Sequence, residues 1–142
     1  MPDLSLAAAQ TIVAEALAHA RRANLKPVAV AVLDSRGAPK AVAAEDGTSL
    51  KRFEIAHGKA YGALSLGMGS RSIGKRAEQQ PTFVAAVSHV VGGSLVPAPG
   101  GVLIKDGDRV IGAVGISGDT SDNDEAAALA GIEASGLTGQ AE

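Results

Sequence analysis

The sequence predicts an α+β domain in which helices cover a single antiparallel sheet, and three observations carry that prediction. Apolar alternation at 28–33, 40–44, 102–105 and 109–116 reads as four short strands. The turns Asp34-Ser35-Arg36-Gly37 and Asp106-Gly107-Asp108 join those strands in pairs and are far too short for the crossover helix that parallel neighbours require. The segments before, between and after the two hairpins have helical spacing.

Each element has a local cause. Leu6, Ala9, Ile12, Val13, Ala16, Leu17 and Ala20 make one apolar face of a first helix, with Ser5 as N-cap and Asn24 near its end. After the first hairpin, Glu45-Asp46-Gly47 leads through Thr48 or Ser49 into a long helix over 49–68. Leu50, Phe53, Ala56, Ala60, Ala63, Leu64 and Gly67 share its face. The stretch 69–80 is polar and reads as irregular, with at most a short helix through Ile73 and Ala77. Pro81 opens another short helix through Val84 and Val87. Gly92-Gly93 and the 97–101 run form a loop. A last helix runs from about 121 to 135 and stops near Gly136.

The length of 142 residues is that of one domain, spanning 1–142. With no cysteine there is no disulfide, thiol nucleophile or zinc–thiolate site. A net charge of -2, with both signs scattered, argues against nucleic acid as a partner. Asp3 and Glu15 near the start are unlike a secretory leader and no apolar run spans a membrane, so the expected location is cytoplasmic. With only Phe53, Tyr61 and Phe83 as aromatics, any pocket is walled by aliphatic side chains and backbone, which still suits a flat apolar cofactor. The alanine-rich helices over 7–20 and 126–134 permit close backbone approach and point to self-association.

The most informative stretch is 112–119, a strand ending in glycines, followed by Asp122-Asn123-Asp124-Glu125 at a helix start. Such a junction offers backbone N–H groups to an anion, or is simply a tight turn with an N-cap. Gly112-Ala113-Val114-Gly115 is not a dinucleotide fingerprint, because it lies late in the chain, within a hairpin strand, and lacks the third glycine.

Lys59 falls roughly 90° from the centre of its helix's apolar face. From that border its ammonium either reaches solvent or points into a cleft beside the sheet. His57 borders the opposite flank. Asp46 is either a site carboxylate or a turn residue, and lies about 20 Å from Lys59 if both share one helix axis. Asp124 either caps the final helix or accepts a proton. No spacing among His19, His57 and His89 makes a metal cluster, so an intrinsic metal site is not expected, whereas one axial haem ligand needs no partner motif. Ser117, Thr120 and Ser121 lack a nucleophile elbow and a base.

Taken in order, Val32-Leu33-Asp34-Ser35-Arg36-Gly37, Asp46-Gly47, Ala56-His57-Gly58-Lys59-Ala60, Pro81-Thr82-Phe83, Pro99-Gly100-Gly101-Val102 and the 111–118 run followed by Asp124 resemble the GlcG/HbpS family. Its members are also described as haem-degrading or DUF336 domains and are related to the C-terminal domain of PduO-type proteins. The resemblance implies a profilin-like or PAS-like αβα domain with a five-stranded antiparallel sheet, assembly into dimers or larger rings, and in several members haem binding. It also places Asp46, Lys59, Gly100, Gly101, Gly118 and Asp124 on the family's recurring positions. Two departures stand out. Ala44-Glu45 replaces an Arg-Met pair and Asp119 replaces a frequent glycine, and both add negative charge near the expected pocket unless Lys59, Lys51 or Arg52 compensates.

Three classes of function follow. The first is a small-ligand or haem-binding protein with accessory or sensing duty. The second is a cofactor-free enzyme acting on a small carboxylated or keto metabolite, with Lys59, Asp46 and Asp124 as catalytic residues. The third is a structural partner in an operon-encoded assembly.

Overall fold

The computed structural model describes residues 3–142. The element order is α1 (Leu6–Arg22), β1 (Ala29–Asp34), β2 (Pro39–Ala44), α2 (Arg52–Leu66), α3 (Ser70–Gln79), α4 (Pro81–Val90), β3 (Gly101–Asp106), β4 (Arg109–Ser117), α5 (Ser121–Ala134) and β5 (Thr138–Gln140). The strands form one antiparallel sheet in the order β2-β1-β4-β3-β5. Two hairpins thus lie side by side, joined where β1 meets β4, and the chain end adds a short fifth strand beside β3.

Both faces of the sheet are covered, which is why β1 is buried at every position although its side chains alternate. Val30, Val32, Val102, Ile104, Val114 and Ile116 point to one side, against Ile12, Ala16 and Ile132 of α1 and α5. Leu33, Leu103 and Ala113 point to the other, against Ala60 and Ala63 of α2. The alanine-rich helices expected at an intersubunit surface pack closely on each other within the chain. A Cβ on Gly131 of α5 would press on the Ile12 carbonyl and Ala16. The shallow faces that suggested self-association are therefore used internally.

Caps and turns follow the sequence. The Ser5 hydroxyl accepts from the Ala8 amide at the head of α1. The Asp34 carboxylate accepts from the Arg36 and Ala38 amides and sets the first hairpin turn. Two expectations need correction. The 69–80 stretch is a regular helix, α3, because Ile73 is fully buried against Val84 and Leu95 while its charged residues lie outward. The helix expected over 49–68 is shorter, since it is entered through a turn closed by the Arg52 amide donating to the Ser49 carbonyl.

Close approach of α2 to the sheet depends on one glycine in particular. Gly115 of β4 lies directly beneath α2, and a Cβ there would collide with the Ala56 carbonyl and the Ala60 amide.

Candidate functional site

The register brings three separate chain segments to one end of the sheet. Ala29 pairs with Ala44 on one side and with Ser117 on the other. The entry to β1, the exit of β2 and the exit of β4 therefore sit together, and the loops leaving them form a cleft region. One cleft of about 210 Å³ is lined by Lys26, Pro27, Gly47, Thr48, Ser49, Arg52 and Gly118. A second, of about 240 Å³, shares Lys26, Arg52 and Gly118 and adds Asp119 and Thr120.

Behind this region lies a buried charged pair. Lys59 Nζ donates to the Ile116 carbonyl at 2.9 Å and to Asp124 Oδ2 at 3.3 Å. Asp124 in turn accepts from the Gly118 amide at 3.3 Å and, through Oδ1, from the Asp119 amide at 3.0 Å. Thr120 is the N-cap of α5, its hydroxyl accepting from the Asn123 amide, so Asp124 holds the loop before the helix instead of the helix's own first turn. Burial pushes the Lys59 ammonium below its ordinary value, the charge and hydrogen bond of Asp124 oppose that, and the Arg52 charge adds to it.

Of the two directions open to Lys59 from its helical position, its side chain takes the inward one and is buried. The small residues of α2 let the helix sink onto the sheet, and the lysine chain lies beside Gly100, whose φ of +125° and missing Cβ leave the room it occupies. Lys59, Gly100, Gly118 and Asp124 are brought together as a clamp on the end of β4. Gly101 adjoins it from β3, its amide donating to the buried Ser70 hydroxyl at 2.7 Å. The amides of Gly101 and Gly118 thus have internal partners.

Asp46 lies apart, in a neighbouring cleft with Arg21, Pro27, Ala44 and Glu45. The two acidic departures have structural duties. Glu45 accepts from the Val28 amide at 2.9 Å and pairs with Arg21. Asp119 accepts from Asn123 Nδ2, the Lys26 amide and the Thr120 amide, which hold its carboxyl down to about 2. The histidines are scattered, and no metal-binding cluster of His, Asp and Glu occurs among the described residues. His57, half-buried, stacks on Tyr61 at 5.4 Å and has Phe53 tilted beside it at 6.0 Å. His19 is half-buried on α1, and His89 is exposed on α4.

Arg52 carries more of the site than the sequence reading gave it. Its Nε donates to Ser49 Oγ and its Nη1 to Ser117 Oγ, both at 3.1 Å, which ties α2 to the exit of β4. The signal was available: Arg52 and Lys59 are seven residues apart, within about 20° of each other around a helix.

A second surface feature lies on the α3–α4 side. Ala77, Pro81, Val84, Ala85, Leu95 and Pro97, with the Ser88 hydroxyl, line a mostly apolar groove of about 290 Å³.

Fold and site together define a small αβα domain with an antiparallel five-stranded sheet, an ion-pair clamp and a polar cleft at one sheet end. Comparison with known proteins places it further. The family model described as "Haem degrading protein HbpS-like" matches residues 4–133, and the chain belongs to that family. Solved structures of the same fold include the Klebsiella pneumoniae protein ORFY, a DUF336 protein, at 26% identity and TM-score 0.86, covering 96% of this chain and 92% of that one. HbpS matches at 26% identity and TM-score 0.82, covering 94% and 90%. A PduOC:haem complex matches at 23% identity and TM-score 0.83, covering 94% and 95%, a likeness of fold. No curated protein matches the sequence at a significant level.

Proposed function

We propose that the protein binds haem in the apolar groove between α3 and α4, in an accessory or sensing role. The carrying observation is an apolar groove with an exposed imidazole on one of its helices: Val84, Ala85 and Ser88 of α4 line it, and His89 follows Ser88 on that helix, its ring without a hydrogen-bond partner among the described residues.

Haem needs three things from a protein, and α3 and α4 carry residues of each kind. Apolar side chains cover the macrocycle, contributing about 25 cal/mol per Å² of apolar surface removed from water. An imidazole supplies the axial donor. Arg76 on α3, lying over the Phe83 ring at 4.5 Å, supplies a cation for a propionate. Bound there, haem supplies an iron centre whose chemistry is set by its axial donor. The family description supports the reading. His57 differs in that Tyr61 stacks on its ring and Phe53 lies tilted beside it. The large exposed apolar side chains of Leu6, Val42, Leu50 and Val90 support self-association as part of the same proposal, at least to a dimer.

Hemin titration followed by the Soret band tests the reading. Wild type and the His19→Ala and His57→Ala variants are expected to show the same shifted band, and His89→Ala an altered one. No shift in wild type, or an unchanged spectrum in His89→Ala, overturns it.

A further inference from the structure

The polar clefts at the sheet end are separate from the apolar groove and carry an inference that does not depend on haem. We propose that they form a binding site for a small monocarboxylate, held by Arg52 and Lys26.

The guanidinium of Arg52 is already oriented. With Nε on Ser49 and Nη1 on Ser117, its plane is fixed, while Nη2 has no partner among the described residues. A fixed planar fork with an open edge matches the two oxygens of a carboxylate and loses little side-chain freedom on binding. Lys26 lines both clefts, and its ammonium has no hydrogen-bond partner among the described residues. Thr48 and Ser49 add hydroxyls that can donate to a carboxylate or to a polar group beside it.

Charge narrows the class. Lys26 and Arg52 against Asp119 leave the lining with a single net positive charge, which balances a monoanion. A phosphate dianion would leave excess negative charge beside Asp119, which stays ionised because its three hydrogen bonds hold its carboxyl down to about 2. Size narrows it further. A cleft of about 210 Å³ has room for about seven waters at ~30 Å³ each, so the occupant is an acid of a few carbons.

The Lys59–Asp124 clamp acts here as a positioning device. It fixes the Ile116 carbonyl and the Gly118 and Asp119 amides, and so the part of the cleft wall that Gly118 and Asp119 form.

The test is titration of the full chain with lactate, pyruvate and inorganic phosphate, followed by NMR of the backbone amides and the Arg52 Nε–H. Lactate or pyruvate is expected to bind saturably, shifting Arg52, Ser49 and Gly118, with phosphate weaker. Arg52→Gln is expected to weaken that binding at least tenfold, and Lys26→Gln, on an exposed side chain, at least threefold with an unchanged melting temperature. No saturable response to either monocarboxylate, tighter binding of phosphate, or unchanged affinity in Lys26→Gln and Arg52→Gln overturns the proposal. So does loss of hemin binding in Arg52→Gln without any lactate or pyruvate response, since the cleft would then be receiving haem propionates. An unchanged hemin titration in Arg52→Gln beside lost lactate binding keeps the two sites distinct, whichever way the His89 test falls.

Discussion

Lys59 and Asp124 meet at 3.3 Å with only 3% and 1% of their side chains exposed, joining the middle of α2 to the first turn of α5 across the end of β4. A pair this deeply buried gives little net stability relative to apolar replacements, yet breaking it strands a charge. Lys59→Met is therefore expected to lower unfolding free energy by about 3–5 kcal/mol. Asp124→Leu should cost more than Asp124→Asn, because the one side-chain oxygen of asparagine can still accept from one of the two amides that Asp124 holds. The folded-state value of Lys59 lies below its ordinary 10.5, so between the two the unfolded chain holds more protons and stability rises with pH. Urea midpoints in that window should rise in wild type relative to Lys59→Met. Equal midpoints for wild type and Lys59→Met at neutral pH would show the pair to be energetically idle.

Asp119 gives a dependence of the same sign in the acid range. Its carboxyl is held down to about 2, against an ordinary 3.8, so its ionised form stabilises the fold above 3.8 and that contribution is lost as pH falls toward 2. An NMR titration should place its midpoint well below those of exposed carboxylates. Asp119→Ala should lose less stability than wild type between about pH 4 and 2.

Gly115→Ala is expected to destabilise by about 1–3 kcal/mol or more, since the added methyl meets the backbone of α2 instead of a side chain that can turn away. Thermal unfolding checks it, with Gly107→Ala as a contrast. Gly107 has open space around its Cβ position, and its φ of +62° makes the cost there one of backbone strain alone.

Arg71 links α3 to α5 through a two-pronged pair with Glu125, at 3.0 and 3.2 Å, and a further bond to Asp122. Its side chain is partly exposed, so solvent screening limits the gain, and Arg71→Ala should cost no more than about 1 kcal/mol. The loss should shrink in high salt, and a salt-independent loss would assign the effect to packing.

The hairpins, the covering helices and their caps were legible in the residues, because turn chemistry and alternation act over a few positions. Lys59 and Asp124 were recognised as recurring positions, but from the helical wheel Lys59 stood at the edge of its apolar face. The wheel counts hydrophobicity around one helix. It does not register that Gly100, in the turn before β3, leaves room for a lysine chain, or that the Ile116 carbonyl lies at its end. β5 escaped the local pattern because three residues, Thr138 to Gln140, carry too little alternation to announce a strand. In the sequence Arg52 stands only as a charge to offset Glu45 and Asp119, because its two serine partners come from a turn and from a strand 65 positions away.

By itself the sequence determined what depends on neighbours along the chain: antiparallel pairing, helix starts, the absence of cysteine chemistry and the near-neutral surface. The tertiary structure alone decided which of those neighbours meet. The pairing of Ala29 with both Ala44 and Ser117 sets three loops at one sheet end, and that register follows from burying both faces of β1 at once. A cleft made by three loops is a property of that register, so its cations and hydroxyls become a site only when the sheet has formed.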